Sequence, residues 1–275
     1  MIELPEAAAL AAQVTDALTG RVVTGAEANH SPHKLMGFFG DPGAYADLLV
    51  GQRITGARGV AGHLQIEAGD LRIVLNDGAN PRLHAPGTER PARHQLAVDL
   101  DDGSTLVVTV AMYGGIQVFH EGENENPYYL VAQAKPAPLT DAFDAAWFTG
   151  LLTADDAPGL SAKAVLATGQ RIPGLGNGVL QDVLWNARIH PRRKVRTLSE
   201  EDRAALFGAV TGTLRRMAAD GGRDTEKDLF GRPGGYRTVL GRATLELPCP
   251  RCGGRVVKEP YLGGAVYFCS VCQVP

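Results

Sequence analysis

Cys249-Pro250-Arg251-Cys252, then sixteen residues, then Cys269-Ser270-Val271-Cys272: all four cysteines of the chain lie in this one stretch near its end. A disulfide framework would distribute its cysteines along the chain. Two Cys-x-x-Cys knuckles at this separation instead offer four thiolates to one Zn²⁺ in a tetrahedron. Gly253-Gly254 and Gly263-Gly264 supply backbone freedom for the turns. Four sulfur ligands leave no position for water, so the expected role of the metal is structural rather than catalytic. Two disulfides are the alternative, and they suit an intracellular chain poorly. Between the knuckles, residues 256–268 alternate well enough for a β-hairpin, a rigid finger that can be laid against nucleic acid.

Upstream lies Arg171-Ile172-Pro173-Gly174-Leu175-Gly176-Asn177-Gly178, a turn between helical stretches, followed by Arg188-Ile189-His190-Pro191-Arg192-Arg193-Lys194. Gly174 and Gly176 expose main-chain N–H groups at the start of the next helix, where the dipole is positive and a phosphate can be held. Asn177 adds a side-chain donor, and Arg192, Arg193 and Lys194 add long-range attraction. Alone, such a turn is as well explained by a plain interhelical loop. Helical patterns cover residues 141–152, 161–168, 178–187 and 199–219, the last opened by Ser199-Glu200-Glu201-Asp202. A polar, Gly-rich stretch at 221–235 leads into the cysteine-bearing tail.

The first half reads differently. Residues 6–19 are strong helix formers with Leu10, Val14 and Leu18 at helical spacing and Gly20 as a stop. Short β-branched stretches follow at 64–67, 71–75, 95–100, 105–111 and 116–120, separated by turns such as Asp101-Asp102-Gly103, the pattern of an antiparallel sandwich or barrel. Lys135-Pro136-Ala137-Pro138 ends this β-rich half. The fold class expected is α+β: an N-terminal β-sandwich with a leading helix (1–134), a C-terminal helical domain (139–238) and a zinc-finger β-hairpin (239–275).

With 275 residues, 44% of them apolar, the chain can bury real cores, which excludes a disordered or collagen-like protein. Its formal charge of -3 hides a segregation: residues 1–150 hold 9 Lys+Arg against 18 Asp+Glu, and residues 151–275 hold 18 against 12. A basic half of this kind marks a binding surface for a polyanion. Met1–Ala12 carries Glu3 and Glu6 and no basic n-region, and no apolar run approaches the ~20 residues of a membrane span. A soluble cytoplasmic, nucleoid-associated protein with no membrane partner is expected.

Taken together, Glu3-Leu4-Pro5-Glu6, the β-rich half, the turn Gly174-Leu175-Gly176-Asn177 with Ile189-His190-Pro191, Gly221-Gly222-Arg223-Asp224-Thr225 and the four-cysteine finger follow one another in the order of a known family. The chain resembles the formamidopyrimidine-DNA glycosylase and endonuclease VIII family from residue 3 to Gln273. The resemblance implies a helix-two-turn-helix (H2TH) domain, binding of double-stranded DNA that contains a damaged base or abasic site, eversion of the modified base, and glycosidic cleavage followed by strand scission, as base excision repair requires. It further implies an N-terminal proline amine as nucleophile, an adjacent glutamate moving protons, a lysine on a β-turn of the sandwich and an arginine in the zinc hairpin. A monomer bearing one structural Zn²⁺ is expected.

Three of those groups are absent. Position 2 is Ile2 rather than proline, so that retention of Met1 would displace the terminal amine by roughly 3.8 Å. The region of the sandwich lysine reads Arg58-Gly59-Val60-Ala61-Gly62-His63, and the finger tip falls near Gly264. The catalytic candidates are therefore Glu3, as general base on water or merely as a cap of the first helix, and the amine of Met1, or of Ile2 if Met1 is removed. Met112 and Tyr113 are candidates to wedge into the gap left by an everted base, a core methionine and a strand-ending tyrosine being the plainer reading. His94 corresponds to a phosphate-contacting histidine of the family. Asn124–Tyr129 reads as a turn. These departures argue against the lyase step. The leading expectation is a glycosylase that hydrolyses the base away; the rivals are a damaged-DNA-binding protein without chemistry and a zinc-ribbon protein that binds RNA or protein.

Overall fold

The computed structural model describes residues 1–275 and divides them into two units, Met1–Leu130 with Gly221–Gly235, and Val131–Asp220 with Tyr236–Pro275. This division departs from the expected domains 1–134, 139–238 and 239–275 in two respects. Residues 221–235 belong to the first unit, and the four-cysteine tail shares a unit with the helices.

In the first unit, α1 (Leu4–Leu18) begins with Glu3 as an extended N-cap, and Pro5 sits in the first turn, where its missing N–H is not needed. Leu10, Val14 and Leu18 fall on one face and are all buried, so the helical spacing seen in the sequence is the face that meets the sheet. The sheet comprises β1 (Val23–Ala28), β2 (Met36–Phe39), β3 (Ile54–Val60), β4 (His63–Ala68), β5 (Leu71–His84), β6 (Leu96–Leu100) and β7 (Thr105–His120), with the short helix α2 (Tyr45–Leu49) between β2 and β3. Its order is β1-β6-β7-β5-β4-β3, antiparallel throughout, and β2 adds to β7 in parallel. The expected strands at 105–111 and 116–120 are one continuous β7. It pairs along its length with the nearly as long β5 through a register shift at Asp77/Ala79. Gly78 permits this crossing, because a Cβ there would stand 2.0 Å from the Ala111 carbonyl oxygen. One face of the sheet carries the main apolar core; on the other, Phe119 packs edge to face on Tyr129 (5.4 Å) and on Phe39 (5.6 Å). Asn124–Tyr129 is more than a turn, since it leads into α3 (Pro127–Ala134).

The Gly-rich stretch 221–235 is a strap on this unit rather than a linker. Leu229 is fully buried in the core, which contributes about 1.5–3 kcal/mol. Its N–H donates to Gln13 Oε1 (2.9 Å) and its carbonyl accepts from Leu83 (2.9 Å). Asp228 closes the loop by accepting from the Phe230 (3.0 Å) and Arg232 (2.8 Å) amides.

The second unit holds α4 (Ala145–Thr153), α5 (Ala162–Ala167), α6 (Asn177–Ala187), α7 (Glu200–Ala219) and the hairpin β8 (Val256–Tyr261) and β9 (Gly264–Cys269). α7 starts with a capping box in which Ser199 Oγ accepts from the Asp202 amide and Asp202 accepts from the Ser199 amide. Fully buried Asp182 on α6 accepts from the Val239 and Leu240 amides, both at 2.8 Å, and so anchors the chain where it enters the cysteine segment. No helix is long and apolar enough to cross a membrane.

Candidate functional site

At the beginning of the chain, the Ile2 N–H donates to the Asp77 carbonyl (2.6 Å) and the Ile2 side chain enters the core. Ile2 is thus a structural residue whose backbone adds one bridge to the sheet, and it holds Met1 at the sheet's bulge. The Met1 amine is ion-paired with Glu226 on the strap, and Met1 Sδ accepts from the Tyr113 hydroxyl (3.7 Å). Glu3 is only 5% exposed and faces Arg223 at 3.8 Å. Arg223 is the hub of the cluster: Nε and Nη2 both donate at 2.9 Å to the Glu6 carboxylate, the Arg223 backbone N–H adds a third bond (3.1 Å), and Glu226 lies 3.9 Å away. Burial works to lower the Arg223 pKa, but Glu3 and Glu6 outweigh it and hold the guanidinium charged well above its ordinary range. Glu3 caps α1 and also lies in a buried charge cluster with Arg223.

Neither Glu226 as partner of the amine nor Arg223 as partner of Glu6 carries a signal of that role in the sequence. Only the Gly221–Thr225 motif pointed to that segment. A third residue, Asp77, has its carboxyl raised by burial while the Met1 amine opposes the shift. Asp77 lines an open cleft of about 340 Å³ with Phe38, Asn76, Tyr113, Gln117 and Tyr128, in which buried Asn76 Oδ1 has no protein partner. Met112 is 69% exposed and stands at φ 64°, a left-handed conformation costly for a side chain of this kind. Tyr113 beside it is 44% exposed and lies within β7, so the methionine is not in the core and the tyrosine does not end a strand.

His94 is not presented to a phosphate. It is buried, with Nδ1 at 3.0 Å from the Pro91 carbonyl and Nε2 at 3.4 Å from Glu27. The region of the absent lysine forms the tight β3-β4 connection, with Arg58 facing Glu67 at 3.4 Å.

In the second unit the turn and the finger meet. Gly174 takes φ 77°, Gly176 is the N-cap of α6, and Asn177 opens the helix. Asn177 Nδ2 donates to the Ala265 carbonyl (2.9 Å) on β9, and Gln181 one turn later accepts from the Tyr267 amide (3.0 Å). Lys163, lowered in pKa by burial, donates to the Tyr261 carbonyl (2.7 Å), and Gln273 donates to the Ile189 carbonyl (3.0 Å). Three polar side chains therefore pin the hairpin by its backbone, and Gln273 ties the tail behind it to the chain just past α6. Gln181, Lys163 and Gln273 carried no motif in the sequence. The basic cluster is partly committed: Arg192 stacks on Tyr261 at 4.0 Å and donates to Glu259 (3.2 Å), and Arg193 is ion-paired with Asp202. Lys194 is exposed and donates only to the Gly159 carbonyl (3.0 Å).

The sulfurs of Cys249, Cys252, Cys269 and Cys272 lie within 4.8 Å of one another, with separations of 3.9, 3.5 and 3.3 Å between the closest pairs. Zn–S bonds of about 2.3 Å in a tetrahedron place sulfurs roughly 3.8 Å apart, so the cluster fits a Zn²⁺ with little adjustment. Amide and indole donors face the sulfurs, including Trp185 Nε1 to Cys249 (3.3 Å), Gly254 N to Cys252 (3.4 Å) and Val271 N to Cys269 (3.4 Å). Burial raises the Cys249 thiol, but the Trp185 donor and the Arg251 and Cys252 amides outweigh it and bring the thiol down to about 6. Cys272 is pushed up to about 12 by burial and by its sulfur neighbours. Four adjacent sulfurs thus cannot all ionise unless a cation lies among them.

No protein-family model matches the chain. Among curated proteins, the formamidopyrimidine-DNA glycosylase of Chloroflexus aggregans is 30% identical over 283 residues, spanning 100% of this chain and 99% of that one. The enzyme of the same name from Geobacter sulfurreducens is 29% identical over 280 residues, spanning 99% and 100%. Among solved structures, the Lactococcus lactis Fpg in complex with DNA containing an abasic site superposes with a TM-score of 0.84 at 24% identity, spanning 99% and 100% of the two chains. The MutM (Fpg) protein of Thermus thermophilus superposes with a TM-score of 0.81 at 24% identity over 98% of each. At that identity the structural likeness speaks for the fold.

Proposed function

The chain belongs to the formamidopyrimidine-DNA glycosylase family, and from that premise we propose that it is a DNA glycosylase of base excision repair that acts by hydrolysis: it binds damaged duplex DNA, everts the modified base and releases it without Schiff-base strand scission. The observation that carries this reading is the Met1 amine ion-paired to Glu226, in a unit where Asp77 lines an open cleft and Glu3 lies buried against Arg223. An ammonium held by a carboxylate is a poor nucleophile, since attack requires its free lone pair. A carboxylate beside the cleft can instead orient and deprotonate water and offset the positive charge that develops on the sugar, the proton passing to the departing base. Met112 and Tyr113, exposed side by side, are the wedge that fills the vacated step.

Grip on the duplex is assigned to the second unit. The N–H groups at the start of α6, Asn177 at its first position, and exposed Lys194 contact phosphates, while Gly174 and Gly176 let the backbone approach. The four cysteines hold a Zn²⁺ whose contribution is the fold of the hairpin. Zinc-loaded monomer acting on the nucleoid in the cytoplasm completes the proposal.

A second reading, a damaged-DNA-binding protein without chemistry, is favoured by the commitment of Glu3 and Glu6 to Arg223. Incubation with duplexes bearing an oxidised base or an abasic site, with base release, nicking and borohydride trapping assayed separately, decides between them. Base release without trapping is expected. Trapping would restore the amine as nucleophile, and binding with neither activity would establish the second reading.

A further inference from the structure

Glu27 near the end of β1, His30 two residues past that strand and His94 just before β6 converge in the first unit. Nδ1 of His30 is 2.8 Å from one oxygen of Glu27, Nε2 of His94 is 3.4 Å from the other, and all three ligand atoms lie within 4.8 Å of one another. The two imidazoles stack at 4.4 Å with 3° between their planes. A tetrahedral ion with bonds of about 2.0–2.1 Å sets its ligand atoms roughly 3.3 Å apart, and the two contacts to Glu27, at 2.8 and 3.4 Å, lie on either side of that value.

The arrangement is built rather than casual. The Asn29 amide donates to the Gln95 carbonyl (2.8 Å), the Ser31 amide to the His94 carbonyl (3.0 Å), and Gln95 Nε2 to the Ser31 carbonyl (2.9 Å), so both flanks of His30 are laced to the segment that carries His94. Asn29 adopts φ 56°, which turns the chain back and brings one ring over the other. His94 is 4% exposed, and its Nδ1 is 3.0 Å from the Pro91 carbonyl, a contact that requires a proton on that nitrogen. Nε2 is the ring nitrogen left to face the Glu27 carboxylate, 3.4 Å away. One divalent cation satisfies both rings and the carboxylate together, and the Pro91 carbonyl is the kind of outer partner that fixes a ligating histidine.

We propose that Glu27, His30 and His94 form a second metal site, separate from the cysteine finger, for a borderline divalent ion such as Zn²⁺ with its remaining positions taken by water. The site accounts for the burial of a histidine that the sequence assigned to a phosphate.

The test is metal stoichiometry on the full chain with its finger loaded. Dialysis against excess Zn²⁺ followed by elemental analysis gives two ions per chain in the wild type and one in His30→Ala, His94→Ala and Glu27→Gln. Loss of one ligand weakens the second ion by more than the ~10–100-fold that outer partners carry. His30 is exposed enough for its replacement to leave the fold intact, which circular dichroism checks. Co²⁺ added to the zinc-loaded protein is expected to show d–d bands without thiolate charge-transfer bands. A wild type that takes up one ion only, or a second ion that persists in all three variants, overturns the proposal.

Discussion

The two units hold their buried polar groups in opposite ways. The second unit ties helices to hairpin and tail with side chains that meet backbone, Asn177, Gln181, Lys163 and Gln273 all bonding to main-chain carbonyls or amides. The first unit ties its N-terminus to the strap with charge on charge, Arg223 and the Met1 amine among Glu3, Glu6 and Glu226. Backbone contacts fix position without fixing a protonation state, whereas a buried charge cluster couples position to charge. The first arrangement suits a rigid gripping surface. The second suits an edge where protons are to be moved. Net charge divides the same way: the first unit carries 11 Lys+Arg against 19 Asp+Glu, the second 16 against 11.

The contrast can be broken most forcefully at the finger. Cys269→Ser is expected to release the zinc and unfold the hairpin, a metal of this type being worth about 10–16 kcal/mol. Hydrogen exchange should then show lost protection in β8 and β9 and unchanged protection in β4 and β5. Parallel loss in both units would mean that they do not respond separately. Next in size, Arg223→Met leaves Glu6 and its neighbours buried without their cation and should cost about 3–5 kcal/mol in a denaturant melt. Adding Glu6→Leu should return part of that loss; no recovery would show that Arg223 acts by packing rather than by charge.

A pH titration sharpens the same comparison, because each unit has a buried histidine whose pKa burial lowers. His63 in the first and His190 in the second are both depressed below the ordinary 6.5 by burial. The unfolded chain then binds more protons than the folded one as pH falls below 6.5, so stability is held above that value and lost below it, by up to about 1.4 kcal/mol per pH unit for each histidine. Unfolding midpoints measured from pH 7.5 to 5 should fall, and His63→Asn should flatten the slope. A flat profile in the wild type would contradict both burial assignments.

The smallest effects concern DNA. Asn177→Ala should weaken binding to many duplex sequences alike by about 1 kcal/mol, the size of one hydrogen bond. Lys194→Ala should reduce the slope of log K against log salt by roughly one. Arg193→Ala, whose charge is already paired with Asp202, should leave that slope unchanged. A larger change at Arg193 than at Lys194 would reverse the assignment of the exposed cation.

What the sequence made legible follows from how local each feature is. The knuckles, the β8-β9 hairpin, the start of α6 and the capping box of α7 are written within a few residues, and each lies where its spacing put it. The continuity of β7 was hidden because Gly114-Gly115 resembles a turn. Gly115 is there because a Cβ would stand 2.6 Å from Asn76 Oδ1 across the sheet, a demand from a residue far away in sequence. The strap was hidden for the same reason: its Gly, Asp and Arg residues look like a linker until Arg223 finds Glu6 and Leu229 finds the core. His30 and His94 lie 64 positions apart, and neither sits in a metal-binding spacing.

The strap also sets an order of events during synthesis. Leu229 and Arg223 leave the ribosome only after nearly all of the helical segment has been made, so the β-rich unit that begins the chain cannot close its core until late. Domains commonly fold in the order in which they emerge. Here the unit that starts first is completed nearly last, and a nascent chain stalled before residue 229 would display the apolar surface that Leu229 covers.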